Sequence, residues 1–233
     1  SFQNDTSQDG LYATTDGGQT WALAGLGGQQ VNAVNAVADE MGTTVYAGVG
    51  DQWFGQSAGG VYRRRAGEDE WTQLGPEDAV VYDIAIDPND TQHLYIGVGT
   101  QKPDKMPGGI FESYDAGESW VHIFITDYVI YTIAIDPQQT NVIFASAGDH
   151  IYRSINGGAT WMEYYYREGA NFQALYIPNT VAADEAFFSS TSHRDVQNLD
   201  GQKSTLYLGA DTGLYRRYIE NYYEVYLPLV HNP

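Results

Sequence analysis

The sequence lacks cysteine, has few basic residues and contains no long apolar run. The absence of cysteine excludes disulfides, thiolate metal sites and a cysteine nucleophile. Only 11 Lys and Arg stand against 30 Asp and Glu, and the resulting net charge of −19 disfavours binding to nucleic acid or to anionic lipid. Because no run of 18 apolar residues occurs, we predict no membrane insertion.

The sequence also has little of the periodicity that is typical of amphipathic helices. It contains instead 26 glycines and 19 tyrosines, and 42% of its residues are apolar, which favours short strands and tight turns around a real core. The histidines are dispersed, and no glycine-rich phosphate loop opens a helix. We therefore predict an all-β chain with no metal and no cofactor, leaving calcium binding at acidic turns as an open alternative.

An octapeptide recurs three times. It reads TTDGGQTW at 14–21, SYDAGESW at 113–120 and SINGGATW at 154–161. The Asp or Asn can accept hydrogen bonds within a tight turn, and the first hydroxyl can form hydrogen bonds in the same turn. The glycine permits a positive φ, and the tryptophan supplies an apolar side chain that packs in the sheet. A motif present three times is predicted to build the scaffold, through Thr14, Asp16, Gly18, Trp21, Ser113, Asp115, Gly117, Trp120, Ser154, Asn156, Gly158 and Trp161.

The segments around the octapeptide recur in phase with it. Each unit has an apolar strand such as VYDIAIDP, a small-residue strand such as LYIGVG, a third strand such as GGIFES, and a fourth strand that begins at the tryptophan. A repeat of this size and order is typical of a four-stranded propeller blade.

One unit departs from the pattern: RRAGEDEW, which ends at Trp71, lacks the hydroxyl, Asp and Gly, so its turn must be held differently. Asp87 and Asp136, in repeated Asp-Pro turns, are interpreted as turn caps.

The pattern Ser/Thr-x-Asp-x-Gly-x-x-Trp resembles the Asp-box, or BNR repeat, of the sialidase-like β-propellers. With the surrounding IAIDP, LYAG and GIYRS-like segments, the chain is most similar to noncatalytic members related to photosystem assembly factors, sortilin-type domains and xyloglucanases. The resemblance implies an all-β propeller of four-stranded antiparallel blades.

We expect a single propeller domain over residues 1–233. About five blades are predicted, with part of a six- or seven-bladed ring, from which N-terminal blades were removed, as the alternative. The predicted blade segments are 1–26 (a half blade), 30–75, 79–124, 128–165 and 171–229.

Inserted loops at 51–59 and 100–108 predict a binding face. Both join the second strand of a unit to the third, so they should project from the same rim. Trp53 and Phe54 in the first loop are candidate ligand contacts, because exposed aromatic rings suit stacking against a sugar or a partner protein. The alternative is that both rings fold back over the blade edge.

Enzymatic chemistry has less support in the sequence. Sialidase chemistry would need an arginine cluster, but Arg63, Arg153 and Arg216 follow the same third-strand tyrosine in three units, which favours a structural role. A glycosidase needs only two carboxylates ~5–9.5 Å apart, which so acidic a chain could supply, yet no pair stands out.

We therefore predict a noncatalytic binding or assembly module that takes a protein or carbohydrate ligand through loops on one face. The opening SFQNDTSQDG, without methionine, and the closing VYLPLVHNP are interpreted as signs of an exported protein, extracellular or at the cell surface. The alternatives are a glycoside hydrolase of the sialidase-like superfamily, and a structural subunit of a surface assembly. In the latter, the unpaired N-terminal hairpin would complete a blade in a neighbouring molecule, so self-assembly remains open.

Overall fold

The computed structural model describes residues 9–51, 59–99, 107–179, 204–211 and 213–219, which form seventeen β-strands and no helix. Within these ranges there is accordingly no helix long and apolar enough to cross a membrane. The chain divides into two compact units, Ser1–Ile133 and Ala134–Pro233. The interpretation of residues 1–233 as one domain therefore stays a prediction.

Three sheets have four strands each, in which strands consecutive in sequence are neighbours in space. This is the meander expected of a propeller blade, and it confirms the predicted fold class of four-stranded antiparallel sheets. The first sheet contains β3 (Val31–Asp39), β4 (Gly42–Val49), β5 (Gly60–Arg64) and β6 (Thr72–Gly75). The second contains β7 (Val80–Asp87), β8 (Asp90–Gly99), β9 (Gly108–Ser113) and β10 (Val121–Thr126). The third contains β11 (Ile130–Ile135), β12 (Ile143–Ala147), β13 (His150–Ser154) and β14 (Met162–Tyr166).

Two smaller sheets flank these three in sequence. A hairpin pairs β1 (Leu11–Ala13) with β2 (Ala22–Gly25). A three-stranded sheet near the end contains β15 (Phe172–Tyr176), β16 (Ser204–Ala210) and β17 (Gly213–Ile219). By strand type, the hairpin supplies the third and fourth strands of a blade, and the last sheet supplies the first three.

The core of the first unit lies between successive sheets. Tyr46 and Val61 of one sheet pack with Leu94, Ile96 and Phe111 of the next, and all five side chains are buried. Small residues in the second strand permit this close approach. A Cβ added to Gly48 would lie 2.6 Å from Cγ1 of Val81 in the neighbouring sheet.

Polar side chains on the first strands connect neighbouring sheets within this unit. Asn35 donates a hydrogen bond to the Ile84 carbonyl at 2.9 Å. The Asp83 carboxylate accepts a bond of 2.7 Å from the Ile133 N–H group, and burial raises the pKa of Asp83. These side chains satisfy backbone groups that would otherwise be buried without partners.

The core of the second unit is rich in aromatic residues. Phe144 and Phe172 are fully buried and pack with Leu206 and Leu208 of the last sheet. The Arg153 guanidinium lies 5.6 Å from the ring centroid of Phe144, which places this cation against an aromatic face rather than in solvent.

Candidate functional site

Each octapeptide closes the turn between the third and fourth strands of a sheet, and its first and third side chains bond to each other. The Ser113 hydroxyl donates to Asp115 Oδ1 at 2.8 Å and accepts a bond of 2.9 Å from the Gly117 N–H group. The other two copies repeat this pattern with distances within 0.1 Å, in Thr14, Asp16, Gly18, Ser154, Asn156 and Gly158.

The seventh residue of the octapeptide completes the turn. The Ser119 N–H group bonds to Asp115 Oδ1 at 2.8 Å, and its hydroxyl donates to Oδ2 at 2.6 Å. Thr20 makes the same two bonds to Asp16. In the third copy, Asn156 reverses one bond by donating from Nδ2 to the Thr160 hydroxyl at 2.9 Å. The sequence interpretation missed this position, although a hydroxyl residue occupies it in all three copies.

The backbone of the turn is left-handed at two consecutive residues. Gly18, Gly117 and Gly158 have φ values of +90°, +88° and +88°. The preceding residue is also left-handed in each copy, and in the second copy it is Ala116, with φ of +56°. Glycine at the fifth position is thus explained by the conformation that the turn requires.

The tryptophans of the repeat differ in their surroundings. Trp120 packs with Leu74 of the preceding sheet at the edge of the core, and Trp71 Nε1 donates to the Ala24 carbonyl of the hairpin at 3.3 Å. Trp161 is half-buried, whereas Trp21 is 61% exposed. The described residues include no sheet before the hairpin, and the Trp21 side chain does not pack at the edge of a core as Trp120 does.

The turn that lacks the octapeptide is held by a glutamate. Glu68 Oε2 accepts a bond of 2.8 Å from the Arg65 N–H group, and the Glu68 N–H group bonds to the Arg65 carbonyl at 3.1 Å. Glu68 therefore caps this turn with its carboxylate, as Asp115 does in the next sheet.

A buried arginine binds the second octapeptide to the preceding sheet. Arg63 is only 3% exposed, and its guanidinium donates to the Ala116 carbonyl at 3.0 Å and to Glu118 Oε1 at 2.8 Å. The Tyr46 hydroxyl approaches the same carbonyl at 3.4 Å, and burial raises the pKa of Tyr46. The turn thus serves both to close its own hairpin and to dock on the neighbouring sheet.

A second cluster of ionisable side chains lies on the sheet β7–β10. His93 Nε2 is 2.8 Å from Glu112 Oε1, and its Nδ1 is 3.4 Å from Asp87 Oδ2. The exposed Tyr114 ring stacks on the imidazole at 4.2 Å between centroids, and its hydrogen bond with Glu112 raises the pKa of Tyr114 to about 12. Asp87 also caps its turn by accepting a bond from the Asn89 N–H group, as Asp136 does from Gln138.

In this cluster a side chain separates the two carboxylates. The imidazole of His93 stands between the two carboxylates, and both carboxylate side chains are about nine-tenths buried. Across the part of the chain that the structure describes, no group of three or more His, Cys, Asp or Glu side chains could hold a metal ion.

The candidate ligand contacts Trp53 and Phe54 lie outside the described residues. The strands that flank them are described: the connection between β4 and β5 comprises residues 50–59, and that between β8 and β9 comprises residues 100–107. The corresponding connection between β12 and β13 is residues 148–149 alone. The structure therefore assigns both insertions to the same connection, from the second to the third strand, of two successive sheets.

Two substitutions of Asp115 distinguish the contribution of its hydrogen bonds from that of its negative charge. Asp115→Ala removes the acceptor for Ser113 and Ser119, and we expect it to lower Tm by roughly 3–6 °C. Asp115→Asn should cost much less, because Asn156 performs the same role in the third copy. Thermal unfolding followed by circular dichroism distinguishes them, and equal losses in both variants would contradict this explanation of the turn.

The charge of Asp115 predicts a pH dependence. Hydrogen bonds from the Ser119 hydroxyl and then from its N–H group hold the pKa of Asp115 below its usual value. A pKa lowered by folding gives stability above about pH 4 that is lost as the pH falls through the folded-state pKa. Wild type should therefore lose more stability than Asp115→Asn between about pH 4 and pH 2. The free energy of unfolding of both proteins can be measured with urea at each pH. If it fell equally in wild type and Asp115→Asn, folding would not lower the pKa of Asp115.

Comparison with known proteins supports the fold. No family model matches the chain, and no curated protein matches it. Among solved structures, the GH74 xyloglucanase from Xanthomonas campestris matches with a TM-score of 0.61 and 18% identity, over 91% of this chain and 34% of that one. YCF48 bound to D1 peptide matches with a TM-score of 0.56 and 15% identity, over 91% of this chain and 59% of that one. The GH74 enzyme from Niastella koreensis matches with a TM-score of 0.52 and 22% identity, over 66% and 26%.

These comparisons define the class of fold and nothing finer. The chain has the β-propeller fold of its structural neighbours, with four-stranded antiparallel blades. It spans about a quarter to a third of the GH74 enzymes and about three fifths of YCF48. At identities this low, the likeness does not transfer an activity.

Proposed function

We propose that the chain is a noncatalytic, exported Asp-box propeller module that binds a ligand through the loops at residues 50–59 and 100–107. The observation that carries this proposal is the expansion of the same connection in two successive sheets, next to a third sheet in which residues 148–149 suffice. A propeller can lengthen such loops without disturbing its sheets, and binding residues concentrate on loops that a rigid scaffold positions.

A protein or peptide is the ligand class that we favour over a carbohydrate. YCF48, one of the structural neighbours, is a propeller protein solved with a bound D1 peptide. Trp53 and Phe54 place two large aromatic side chains in the first loop, and aromatic residues often dominate the energy of protein interfaces. The net charge of −19 favours a partner segment with basic residues.

The three octapeptides support a noncatalytic role. Their hydroxyl and carboxylate or amide groups bond within their own turns, as Ser113, Asp115 and Ser119 show. A group committed to such bonds is poorly suited to take part in proton transfer. The proposal therefore assigns the repeated motif to the scaffold and ligand recognition to the loops.

Binding to two arrays tests the proposal, one of basic peptides and one of plant and bacterial glycans. We expect wild type to bind peptides, and Trp53→Ala and Phe54→Ala each to weaken that binding at least about tenfold. Ile125→Ala is the matched control, because Ile125 is a 66% exposed apolar residue outside both loops. Binding that survives both loop substitutions, or that appears only with glycans, would overturn the assignment.

A further inference from the structure

The third octapeptide contains a chemically reactive pair of residues. Asn156 and Gly157 form the one Asn-Gly pair of the sequence, and Asn156 is exposed to solvent. The other two copies have Asp in place of this Asn. An asparagine that precedes glycine is prone to deamidation, because glycine has no side chain that hinders attack by its own backbone nitrogen. The reactive pair therefore stands at the position that shapes the turn.

Deamidation at this pair consumes only water. The Gly157 backbone nitrogen loses its proton and attacks Cγ of Asn156, the Cγ–Nδ2 bond breaks, and ammonia leaves, which closes a five-membered succinimide. Water then opens this ring. Attack of water at Cγ restores the backbone and leaves an aspartate, whereas attack at the main-chain carbonyl carbon gives isoaspartate, in which the backbone runs through the side chain.

Three hydrogen bonds restrain the Asn156 carboxamide in the folded turn. Its Oδ1 accepts bonds of 2.9 Å from the Ser154 hydroxyl and from the Thr160 N–H group. Its Nδ2 donates to the Thr160 hydroxyl at 2.9 Å. Closing the succinimide moves Cγ onto the backbone nitrogen and expels Nδ2, so it breaks these bonds. The reaction therefore requires a local opening of the turn.

A second asparagine, in the connection between β11 and β12, restrains the backbone of the pair. The Asn141 carbonyl accepts a bond of 2.9 Å from the Gly157 N–H group, which must lose its proton before the attack. The Asn141 side chain donates from Nδ2 to the Ile155 carbonyl at 2.7 Å. Asn141 thus holds the residues on both sides of Asn156. Hydrogen-bonded N–H groups of this kind react when local opening breaks their bonds.

The turn can accept the aspartate product. Asp16 and Asp115 occupy the same position in the other copies, where they accept bonds of 2.7 and 2.8 Å from the hydroxyl two residues earlier. Each also accepts a bond of 2.6 Å from the hydroxyl four residues later. After conversion of Asn156, the Thr160 hydroxyl can reverse its bond and donate in the same way. Isoaspartate, by contrast, adds one atom to the turn's backbone and displaces the bond of 2.8 Å between its fifth and first residues.

We propose that Asn156–Gly157 is a deamidation site whose rate the folded turn controls through Asn141, and whose aspartate form retains the turn. The conversion adds one negative charge to the turn and leaves the length of the backbone unchanged. It involves no residue of the loops at 50–59 and 100–107, so it is tested independently of ligand binding.

Mass spectrometry of tryptic peptides tests the control of the rate in the full chain. Cleavage after Arg153 and Arg167 releases a peptide in which Asn156 is the sole asparagine, so its mass reports this site alone. At mildly alkaline pH, conversion in the folded protein should be at least about tenfold slower than in the same protein unfolded in guanidinium chloride. Equal rates in the two states, or no conversion in the unfolded chain, would overturn the proposal.

A substitution of Asn141 tests its part in this control. Asn141→Ala removes the bond to the Ile155 carbonyl and should accelerate conversion in the folded protein roughly two- to tenfold. Gln139→Ala is the matched control in the same connection, because the bonds of Gln139 with Asp136 and Val142 are made by its backbone. It should react like wild type, and all three proteins should react equally when unfolded. Conversion at the wild-type rate in a folded Asn141→Ala protein would contradict the role of Asn141.

Two substitutions at the site test whether the turn accepts the product, and they need no intact Asn141. Asn156→Asp should have a Tm no lower than that of wild type at neutral pH, because the carboxylate accepts the same bonds in the other copies. Asn156→Ala removes the acceptor and should lower Tm by roughly 3–6 °C. Thermal unfolding followed by circular dichroism distinguishes them. A loss in Asn156→Asp as large as that in Asn156→Ala would show that the turn rejects the product and would overturn this part of the proposal.

Discussion

Gly109→Ala is expected to lower the free energy of unfolding by about 3 kcal/mol or more. Gly109 has φ of +147°, a conformation that is essentially confined to glycine. A Cβ at this position would also collide with the Phe124 carbonyl oxygen and lie 2.6 Å from Nε2 of the His122 ring. The Phe124 backbone is held in the ladder between β9 and β10, and the His122 ring stacks on Phe111, so relieving the collision would disturb both contacts.

Gly213→Ala is the matched control for this effect. Gly213 has φ of +137°, yet a Cβ there would meet no atom within 4 Å. This variant should show the conformational cost alone, about 1–2 kcal/mol. Urea unfolding of the two variants therefore separates the collision from the backbone strain, and equal losses would refute the close packing assigned to Gly109.

Arg63→Ala is expected to cost about 2–3 kcal/mol. The substitution leaves the Ala116 carbonyl without its closest partner and removes a long side chain that is 3% exposed. It should also loosen the octapeptide turn that Arg63 binds, so hydrogen exchange at Gly117 and Ser119 should accelerate in this variant.

Glu118→Gln is the control for the ion pair. Glu118 is 58% exposed, so its bond with Arg63 is screened by solvent and should contribute no more than about 0.5 kcal/mol. The two variants can be compared by urea unfolding at the same ionic strength. If both cost the same, the ion pair rather than the carbonyl bond would hold the sheets together, contrary to this interpretation.

The sequence predicted what is decided locally. The octapeptide's hydroxyl, carboxylate and glycine form a turn within eight residues, so residue type and spacing were enough to indicate hydrogen bonds such as that between Ser113 and Asp115. The order of strands followed from the repeat, since each sheet is a meander of consecutive segments. Asp87 likewise caps a turn two residues away.

The sequence did not predict what depends on distant residues. Arg63 donates to the carbonyl of a residue 53 positions later in the sequence. From the sequence alone, an arginine at this position is equally compatible with an exposed site on the surface. His93 meets Glu112 only because β8 and β9 pair in one register. Trp21 is exposed whereas Trp120 and Trp161 are half-buried, although the three octapeptides have the same pattern, so the exposure of the tryptophan depends on its neighbours outside the motif.

We propose that this propeller is a scaffold for ligand binding rather than an enzyme. The measurement that tests it most directly is the release of reducing ends from xyloglucan and a panel of other polysaccharides, followed across acid to neutral pH. We expect no turnover by wild type, and no difference between wild type, Glu112→Gln and Asp87→Asn. Turnover by wild type that disappears in either carboxylate variant would contradict it and would assign catalysis to the cluster around His93.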